Sequence, residues 1–221
     1  MWNKAKDAEL KAIKMNHFLK KGFELFSSRS IESVTLSEVA KAAGYGMATL
    51  YRYFDKKPGF VIAVATWKWS NFQDENSARV KNTFDNMSAY QAFDFYLDSF
   101  LELYRKHRDL LRFNQFFNIF IKSENIDPKT LEPYNVMIER FHSRFHDIYS
   151  KGIKDHTLKT DVPEKEMFET TLHLMLAAIT RYAVGLVYKA ENESISLKEL
   201  TTLKEAFMLM YKGESATVSL V

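Results

Sequence analysis

The sequence predicts an all-α protein of about nine helices, in which an N-terminal three-helix head is joined by helix 4 to a larger C-terminal helical body. Apolar residues recur at helical spacing along most of the chain, and strand-like alternation is absent. Only 7 glycines and 4 prolines interrupt the 221 residues, and no repeat of about 20 to 50 residues is present. These observations leave helices as the dominant element.

The individual helices follow from apolar stripes that end at capping residues, glycines or prolines. The clear breaks are Asp127-Pro128 and the stretch 161–163. The predicted helices are 5–27, 36–43, 46–53, 58–80, 88–107, 109–123, 130–152, 163–190 and 197–212. The predicted domains are 1–60 for the head, 61–212 for the body and 213–221 for a flexible tail.

Composition limits the class of protein. The chain has 46% hydrophobic and 27% charged residues, as globular domains do, and it has no cysteine, which excludes disulfides and thiolate metal sites. The N-terminus lacks the apolar core of a secretory signal. The most apolar stretch, 172–188, is interrupted by His173 and Arg181 and is shorter than the roughly 20 apolar residues of a membrane span. We therefore expect a cytoplasmic protein with no membrane partner.

The basic residues are concentrated at the amino end. Residues 1–57 contain 11 lysines and arginines against 6 acids, a net charge of +5, whereas the remaining residues have a net charge of −2. Such asymmetry is typical of a polyanion-binding head on a near-neutral body, although a solvated lysine-rich helix face would give the same count.

A helix-turn-helix is predicted over 35–53. Thr35 can cap the first helix, with Glu38 three residues later as the acidic half of a capping box. Gly44 ends this helix, because glycine adopts the left-handed C′ conformation without strain. A second short helix follows, and in this motif the second helix lies in the major groove of DNA. A small aromatic-rich corner of a helical core is the alternative.

Some residues of the second helix are expected to pack in the head, and the others are expected to face solvent. Leu50 and Phe54 share a face and are expected to lock it onto Val39 and the first helix. The tyrosine and threonine hydroxyls can then bond phosphates, which Lys56 and Lys57 can neutralise. The side chain of Arg52 could reach a guanine edge, and Met47 a thymine methyl group.

Residues 8–64 resemble the DNA-binding head of the TetR family of bacterial transcriptional regulators. That family has a long first helix ending in phenylalanine, followed by a threonine-led helix and the pattern "IA..aGvs.gtlY.yF..K". The matching residues are Phe26, Thr35, Val39-Ala40, Ala43-Gly44-Tyr45, Thr49-Leu50-Tyr51, Tyr53-Phe54 and Lys57. The chain departs from the pattern where Gly46 replaces the usual capping serine and where 56–60 replaces the usual start of helix 4.

The resemblance implies a ligand-responsive DNA-binding regulator, most simply a repressor, that forms a homodimer, binds double-stranded DNA and a small-molecule effector, and needs no cofactor. Thr49, Tyr51, Tyr53 and Lys57 fall at its backbone-contacting positions, and Gly46, Met47, Ala48 and Arg52 at its base-reading positions. The full set of expected DNA-binding residues is Thr35, Ser37, Gly46, Met47, Ala48, Thr49, Tyr51, Arg52, Tyr53 and Lys57.

Two further surfaces are expected in the body. Aromatic residues at helical spacing are candidates for an apolar ligand pocket, although such stripes more often form plain core. They are Tyr96, Phe100, Tyr104, Phe113, Phe117, Phe120, Tyr134 and Phe141. The last two helices are expected to pair in the dimer, because the penultimate one is apolar on more than one face. The expected interface residues are Met175, Ile179, Tyr182, Leu186, Leu203 and Phe207.

Other classes of protein find less support. Glycine-rich phosphate loops, a nucleophile elbow and His-Glu-x-x-His are all missing from the sequence, so we expect no enzyme. His142 and His146 have a metal-compatible spacing, but arginines flank them and an exposed polar face is the better interpretation, so no metal site is expected. The second hypothesis is a helical interaction or ligand-carrier protein whose basic head binds a partner protein or a membrane surface.

Overall fold

The computed structural model describes residues 2–80, 84–187 and 192–216. Within these ranges the backbone forms nine α-helices, one short 3-10 helix and no strand, which confirms the all-α prediction. The helices are α1 (Trp2–Ser28), α2 (Leu36–Ala42), α3 (Met47–Tyr51), α4 (Lys57–Val80), α5 (Ala89–Lys106), α6 (Arg108–Ser123), α7 (Pro128–Asp155), α8 (Glu164–Ala183) and α9 (Glu193–Met210), with the 3-10 helix at Phe84–Asn86. None of the described helices is both long and apolar enough to cross a membrane.

The chain forms two compact units. The first consists of Met1–Phe72 and Arg112–Met137, and the second of Gln73–Leu111 and Ile138–Val221. The first unit therefore holds α1 to α3, most of α4 and the greater part of α6. The functional boundary expected at residue 60 stays a prediction.

The core of the first unit is built where α1 meets α4. Phe18, Phe26 and Phe60 are fully buried, and the rings of Phe26 and Phe60 meet edge to face at 5.9 Å. Gly22 of α1 lies against Phe60: a Cβ atom added there would be 2.5 Å from Cζ of Phe60. Glycine is needed at this position because the ring occupies the space that a side chain would fill.

The core of the second unit is aromatic. Phe93 packs edge to face on Phe145 at 6.3 Å and on Tyr211 at 5.8 Å, and Phe145 contacts Phe168 at 5.4 Å. These four rings join α5, α7 and α8 to the end of α9. An ion-pair cluster at the surface also ties α9 to α5, since Lys204 Nζ lies 2.8 Å from Asp94 and 2.6 Å from Asp98.

The helix α8 ends earlier than predicted. The expected end was residue 190, but the helix stops at Ala183 and Gly185 takes a φ of +74°. The Leu186 amide then donates to the Arg181 carbonyl at 3.0 Å, closing the helix in the manner of a glycine C-cap. Leu186 is consequently outside the helix, and residues 188–190 lie outside the described part of the chain.

The segment after α9 is hydrogen bonded to the loop after α7. The Lys159 amide donates to the Tyr211 carbonyl at 2.9 Å, and the Gly213 amide donates to the Thr157 carbonyl at 3.0 Å. The Ser215 amide donates to the His156 carbonyl at 3.1 Å. The first residues of the predicted tail are therefore held to the second unit, while 217–221 lie outside the described residues.

Replacing Gly213 with alanine is expected to loosen this attachment. The added Cβ would lie 2.4 Å from the His156 carbonyl oxygen, a backbone atom that cannot move aside as a side-chain end can. We expect a loss of about 1–3 kcal/mol of unfolding free energy, measured by urea denaturation. Gly59→Ala is the control, because nothing lies within 4 Å of its added Cβ. Equal stability of Gly213→Ala and the wild type would contradict the close approach of the two backbones.

Candidate nucleic-acid interface

The start of α2 is fixed by the predicted capping box, which the structure confirms. The Glu38 amide donates to Thr35 Oγ1 at 3.2 Å, and the Thr35 amide donates to Glu38 Oε2 at 2.8 Å. Arg29, which sequence analysis did not single out, donates to Glu38 Oε1 at 2.9 Å and to the Ser33 carbonyl at 3.0 Å. The end of α1, the loop and the start of α2 are thus joined through one carboxylate.

The same bonds make the head sensitive to acid. The backbone hydrogen bond from Thr35, followed by the hydrogen bond from Arg29, lowers the pKa of Glu38 from 4.5 to about 2. Because the folded pKa lies below the unfolded one, the stabilisation is fully present above pH 4.5 and is lost as the pH falls towards 2.

The substitution Glu38→Gln tests this directly. We expect it to lower the urea midpoint at pH 7, and we expect the difference from wild type to shrink between about pH 4.5 and pH 2. Glu9→Gln, at an exposed position of α1, is the control. A difference that stays constant over this pH range would show that the charge of Glu38 does not stabilise the head.

The turn between α2 and α3 is made by Gly44, as predicted. Its φ is +78°, the left-handed region that favours glycine. The Tyr45 amide then donates to the Ala40 carbonyl at 2.9 Å, which closes the end of α2. Gly46 follows as the extended N-cap of α3 and supplies no side-chain cap. The turn therefore begins α3 without a side-chain cap.

One face of α3 is buried in the head. Leu50 is fully buried, and the following Phe54 packs on Phe60 at 4.9 Å between ring centroids. Tyr45 and Tyr53, which flank α3 in sequence, both lie against Phe18 of α1, at 5.1 and 5.9 Å. Aromatic side chains thus support the short helix at both of its ends.

The opposite face of α3 is open to solvent. The structure shortens the predicted helix from 46–53 to Met47–Tyr51, with Arg52 as its C-cap. Tyr51 keeps 53% of its surface exposed. An exposed tyrosine next to an exposed arginine indicates a binding surface, because neither contributes to the core. Of the predicted DNA-binding residues, Thr35, Ser37, Gly46, Ala48, Tyr51 and Arg52 are exposed, and Met47, Thr49, Tyr53 and Lys57 are partly buried.

Lys57 lies at the beginning of α4, beside the loop that precedes α2. Its Nζ donates to the Glu32 carbonyl at 3.4 Å. Partial burial of the ammonium lowers the pKa of Lys57 from 10.5, while the nearby carboxylate of Glu32 opposes the shift. The lysine is consequently held against the loop that leads into Thr35, the cap of α2.

The predicted pocket residues are divided between the two units. Phe113, Phe117, Phe120 and Tyr134 belong to the first unit, and Tyr96, Phe100, Tyr104 and Phe141 belong to the second. In the first, Phe117 contacts Phe113 at 5.9 Å and Tyr134 at 4.8 Å. In the second, Tyr96 packs on Phe100 at 5.3 Å and on Phe145 at 5.5 Å.

Tyr96 brings a buried polar atom into the aromatic cluster of the second unit, as Thr171 and Thr180 do elsewhere in that unit. Its hydroxyl oxygen is buried and has no hydrogen-bond partner among the described residues. Desolvation also raises the pKa of Tyr96 above its usual range. A buried hydroxyl without a partner is costly in a protein interior, so this group favours an interpretation in which a bound polar atom meets it.

The predicted dimer residues are not all available to a second copy. Met175, Ile179 and Phe207 are buried in the core of their own chain, Tyr182 and Leu203 are partly buried, and Leu186 is 57% exposed. The large apolar side chains that α8 and α9 expose are instead Leu174, Ile195, Leu209 and Met210. The predicted interface stays a prediction, in which Leu186, Tyr182 and Leu203 keep surface that a second copy could contact.

His142 and His146 lie on either side of the Glu164 carboxylate. His142 Nε2 is 3.4 Å from Oε1, and His146 Nδ1 is 3.0 Å from Oε2. Within the described part of the chain, no group of three or more histidines and acids is arranged to hold a metal ion. The pair links α7 to the start of α8.

Comparison with known proteins places the head in a family. Residues 18–64 match the family described as bacterial regulatory proteins, tetR family. The chain is 21% identical to the uncharacterized HTH-type transcriptional regulator YvdT of Bacillus subtilis (strain 168), over 86% of this chain and 92% of that one.

Solved structures extend the likeness to the whole fold. The transcriptional regulator FadR from Bacillus subtilis, in complex with stearoyl-CoA, is 14% identical with a TM-score of 0.68, covering 87% of this chain and 96% of that one. A putative transcriptional regulator from Saccharomonospora viridis, in complex with choline, is 15% identical with a TM-score of 0.71, covering 92% and 99%. Together with the cap, the glycine turn and the exposed α3, these matches show a helix-turn-helix head of the TetR type at residues 18–64 and the fold of these regulators over most of the chain.

Proposed function

We propose that this chain is a sequence-specific DNA-binding transcriptional regulator, acting as a repressor that leaves a pseudo-palindromic operator when a largely apolar small molecule binds its body. The observation that carries the proposal is the face of α3, where Ala48, Tyr51 and Arg52 are exposed on a helix whose other face is fixed by Leu50. Its role is regulatory rather than enzymatic, and its place is the cytoplasm, where the DNA is.

The side chains of α3 and of the residues that flank it divide into two kinds of DNA contact. The hydroxyls of Thr49, Tyr51 and Tyr53 and the ammonium of Lys57 suit phosphate oxygens, which give affinity and fix the register of the helix. Arg52 suits the O6 and N7 atoms of guanine, and Met47 suits the methyl group of thymine, which give specificity. Gly46 and Ala48 are small and let the backbone of α3 approach the bases closely.

A homodimer would present two such helices. The exposed Leu174, Leu209 and Met210 on α8 and α9 give the chain an apolar surface that a second copy can cover, and a two-fold pair then matches a pseudo-palindrome. Two half-sites would lie about 34–36 Å apart, in successive major grooves. Both partner surfaces come from the same patch, as in an isologous dimer.

The proposed dimer surface can be tested by the introduction of one negative charge at Leu209. Leu209 is 74% exposed, so Leu209→Glu has little cost in an isolated protomer but buries a carboxylate in the proposed interface. We expect light scattering to show the mass of two chains for the wild type and of one chain for Leu209→Glu. Val136→Glu, the same kind of change at an exposed apolar residue of α7, is the control. A Leu209→Glu protein that stays dimeric would place the interface elsewhere.

The effector would bind in the second unit, beside the packed rings of Tyr96, Phe100 and Phe145. Their side chains offer apolar contacts, and the buried hydroxyl of Tyr96 offers a single polar one. An effector that prefers one spacing or angle of the two heads shifts the protein towards that state, and the affinity for DNA falls by the ratio of its affinities for the two states.

The experiment that tests the proposal is selection of bound fragments from a random duplex pool. We expect enrichment of a pseudo-palindrome whose half-sites are about one helical turn, or 10–10.5 base pairs, apart. The same selection with Tyr51→Ala is expected to enrich more weakly. A pool that remains random after several rounds would overturn the proposed function and favour a helical protein that binds another kind of partner.

A further inference from the structure

The helix α1 extends well beyond the part that packs in the head. Its second half carries Phe18, Phe23 and Phe26 into the core. Residues 6–17, which precede this part, are exposed at every position except Lys14, which is partly buried. These positions form about three turns of helix that contribute little to the core. A long helix exposed in this way needs an explanation other than packing, since its own propensity supplies little stability.

Two lysines of this exposed segment lie against the helix-turn-helix. Lys11 Nζ is 6.0 Å from the ring centroid of Tyr53, and Lys14 Nζ is 6.0 Å from the ring centroid of Tyr45. Both rings also pack on Phe18. Lys11 precedes Phe18 by about two helical turns, so the two residues lie on the same face of α1. This face is buried at Phe18 and carries an exposed lysine nearer the amino end.

The charges around these lysines favour an external anion. Neither Lys11 nor Lys14 has an ion pair among the described residues. Asp7 lies on the same face, one turn before Lys11. Its negative charge marks the amino-terminal limit of the positive patch, which consists of Lys11 and Lys14. On the other side the patch adjoins Tyr53, and beyond it Arg52, whose guanidinium carbon is 5.8 Å from the Tyr53 ring. The positive surface is therefore continuous with the exposed end of α3.

We propose that Lys11 and Lys14 form an additional phosphate-binding site, which extends the DNA footprint of the head from the helix-turn-helix onto the amino-terminal half of α1. The inference rests on the proposed function, because the phosphates it engages flank the bases that α3 reads. The tyrosine rings hold each ammonium group near the duplex without neutralising it. The site adds affinity but carries no base specificity.

The test is an anisotropy titration of the selected operator at salt concentrations from about 50 to 300 mM, with the operator flanked by extra base pairs. The double variant Lys11→Gln/Lys14→Gln removes the charges and keeps good helix formers. Each phosphate contact contributes about 0.9 to the slope of log K against log salt, so four lost contacts in a dimer are expected to reduce its magnitude by about 3.6. The preference for operator over scrambled duplex should stay unchanged.

The matched control is Lys20→Gln on the same helix. Lys20 is exposed and lies roughly 180° around α1 from Lys11 and about 120° from Lys14, away from Tyr45 and Tyr53. We expect its salt slope to remain within about 0.5 of the wild-type slope, less than one phosphate contact. The thermal midpoint of each variant shows whether the lysines act instead by supporting the tyrosine rings.

The outcomes separate this inference from the proposed function. A wild type that binds the operator, together with a double variant of unchanged slope, would overturn the lysine site and leave the regulator intact. A lower thermal midpoint with an unchanged slope would overturn it equally, since the lysines would then only stabilise the head. A wild type that binds no duplex at all would overturn the proposed function, and this inference with it.

Discussion

Phe60→Ala is expected to lower the unfolding free energy by about 3–5 kcal/mol, the usual cost of removing a fully buried phenylalanine. Phe60 is 0% exposed and joins α4 to α1 and to the end of the helix-turn-helix, through Phe26 at 5.9 Å and Phe54 at 4.9 Å. A domain of this size has only about 5–15 kcal/mol of stability to lose. The change is measured by urea denaturation, followed by circular dichroism.

The neighbouring Gly22 makes this prediction specific. In the wild type, Gly22→Ala places a Cβ 2.5 Å from Phe60 Cζ and is expected to cost about 1–3 kcal/mol. With Phe60 replaced by alanine, the ring is gone and only the flexible end of Val64, at 3.1 Å, remains close, while alanine is the better helix former by about 1 kcal/mol. Gly22→Ala should therefore become neutral or stabilising in that background. Equal costs in the two backgrounds would contradict the close approach of α1 and α4.

Ala48→Asp is expected to lower operator affinity at least about 100-fold, or about 2.7 kcal/mol, without destabilising the fold. Ala48 is exposed in the first turn of α3, where an acid is favourable for the helix dipole. On bound DNA the same carboxylate would face phosphates and base edges, and like charges across an interface cost several kcal/mol. Stability and DNA affinity are thus expected to change independently.

The matched control carries the same charge elsewhere. Asn135→Asp places an acid on an exposed part of α7, outside both α1 and the helix-turn-helix. It changes the net charge equally, so any loss of affinity from overall charge alone appears in both variants. Ala48→Asp binding as tightly as Asn135→Asp would show that α3 does not approach DNA.

Local signals in the sequence were sufficient to predict how the helix-turn-helix begins and where it turns. Thr35 and Glu38 are three residues apart and bond each other's backbone amides, and Gly44 determines its own backbone conformation. None of these features depends on the rest of the fold, so sequence alone predicts them. Arg29 was missed because its contact with Glu38, nine residues away, exists only after the loop has folded.

Apolar periodicity was a weaker guide to the body. It continues through Gly185 to residue 190, so it predicted a longer α8, whereas the left-handed glycine ends the helix. Periodicity also cannot distinguish a face covered by the same chain from one covered by a second copy. The spacing of Met175 and Ile179 is compatible with burial in their own chain and with burial by a second copy. The structure places both in the core of their own unit.

The candidate site was also predictable only in part. Among the residues that sequence analysis assigned to DNA, Ala48, Tyr51 and Arg52 are exposed as that assignment requires, whereas Met47 and Thr49 are partly buried; their roles on DNA stay predictions. The lysines of α1 were counted only as part of the basic amino end. Their position beside Tyr45 and Tyr53 depends on how α1 packs on the helix-turn-helix, which composition does not reveal.

The central claim is that the exposed face of α3 reads a DNA sequence. The most direct measurement is the ratio of dissociation constants for the selected duplex and a scrambled duplex of the same composition, at one fixed salt concentration near about 150 mM. We predict a preference of about 10³-fold or more, as specific DNA-binding proteins show, and a much smaller preference for the Arg52→Ala variant. Equal affinity for the two duplexes would contradict sequence-specific recognition by this protein.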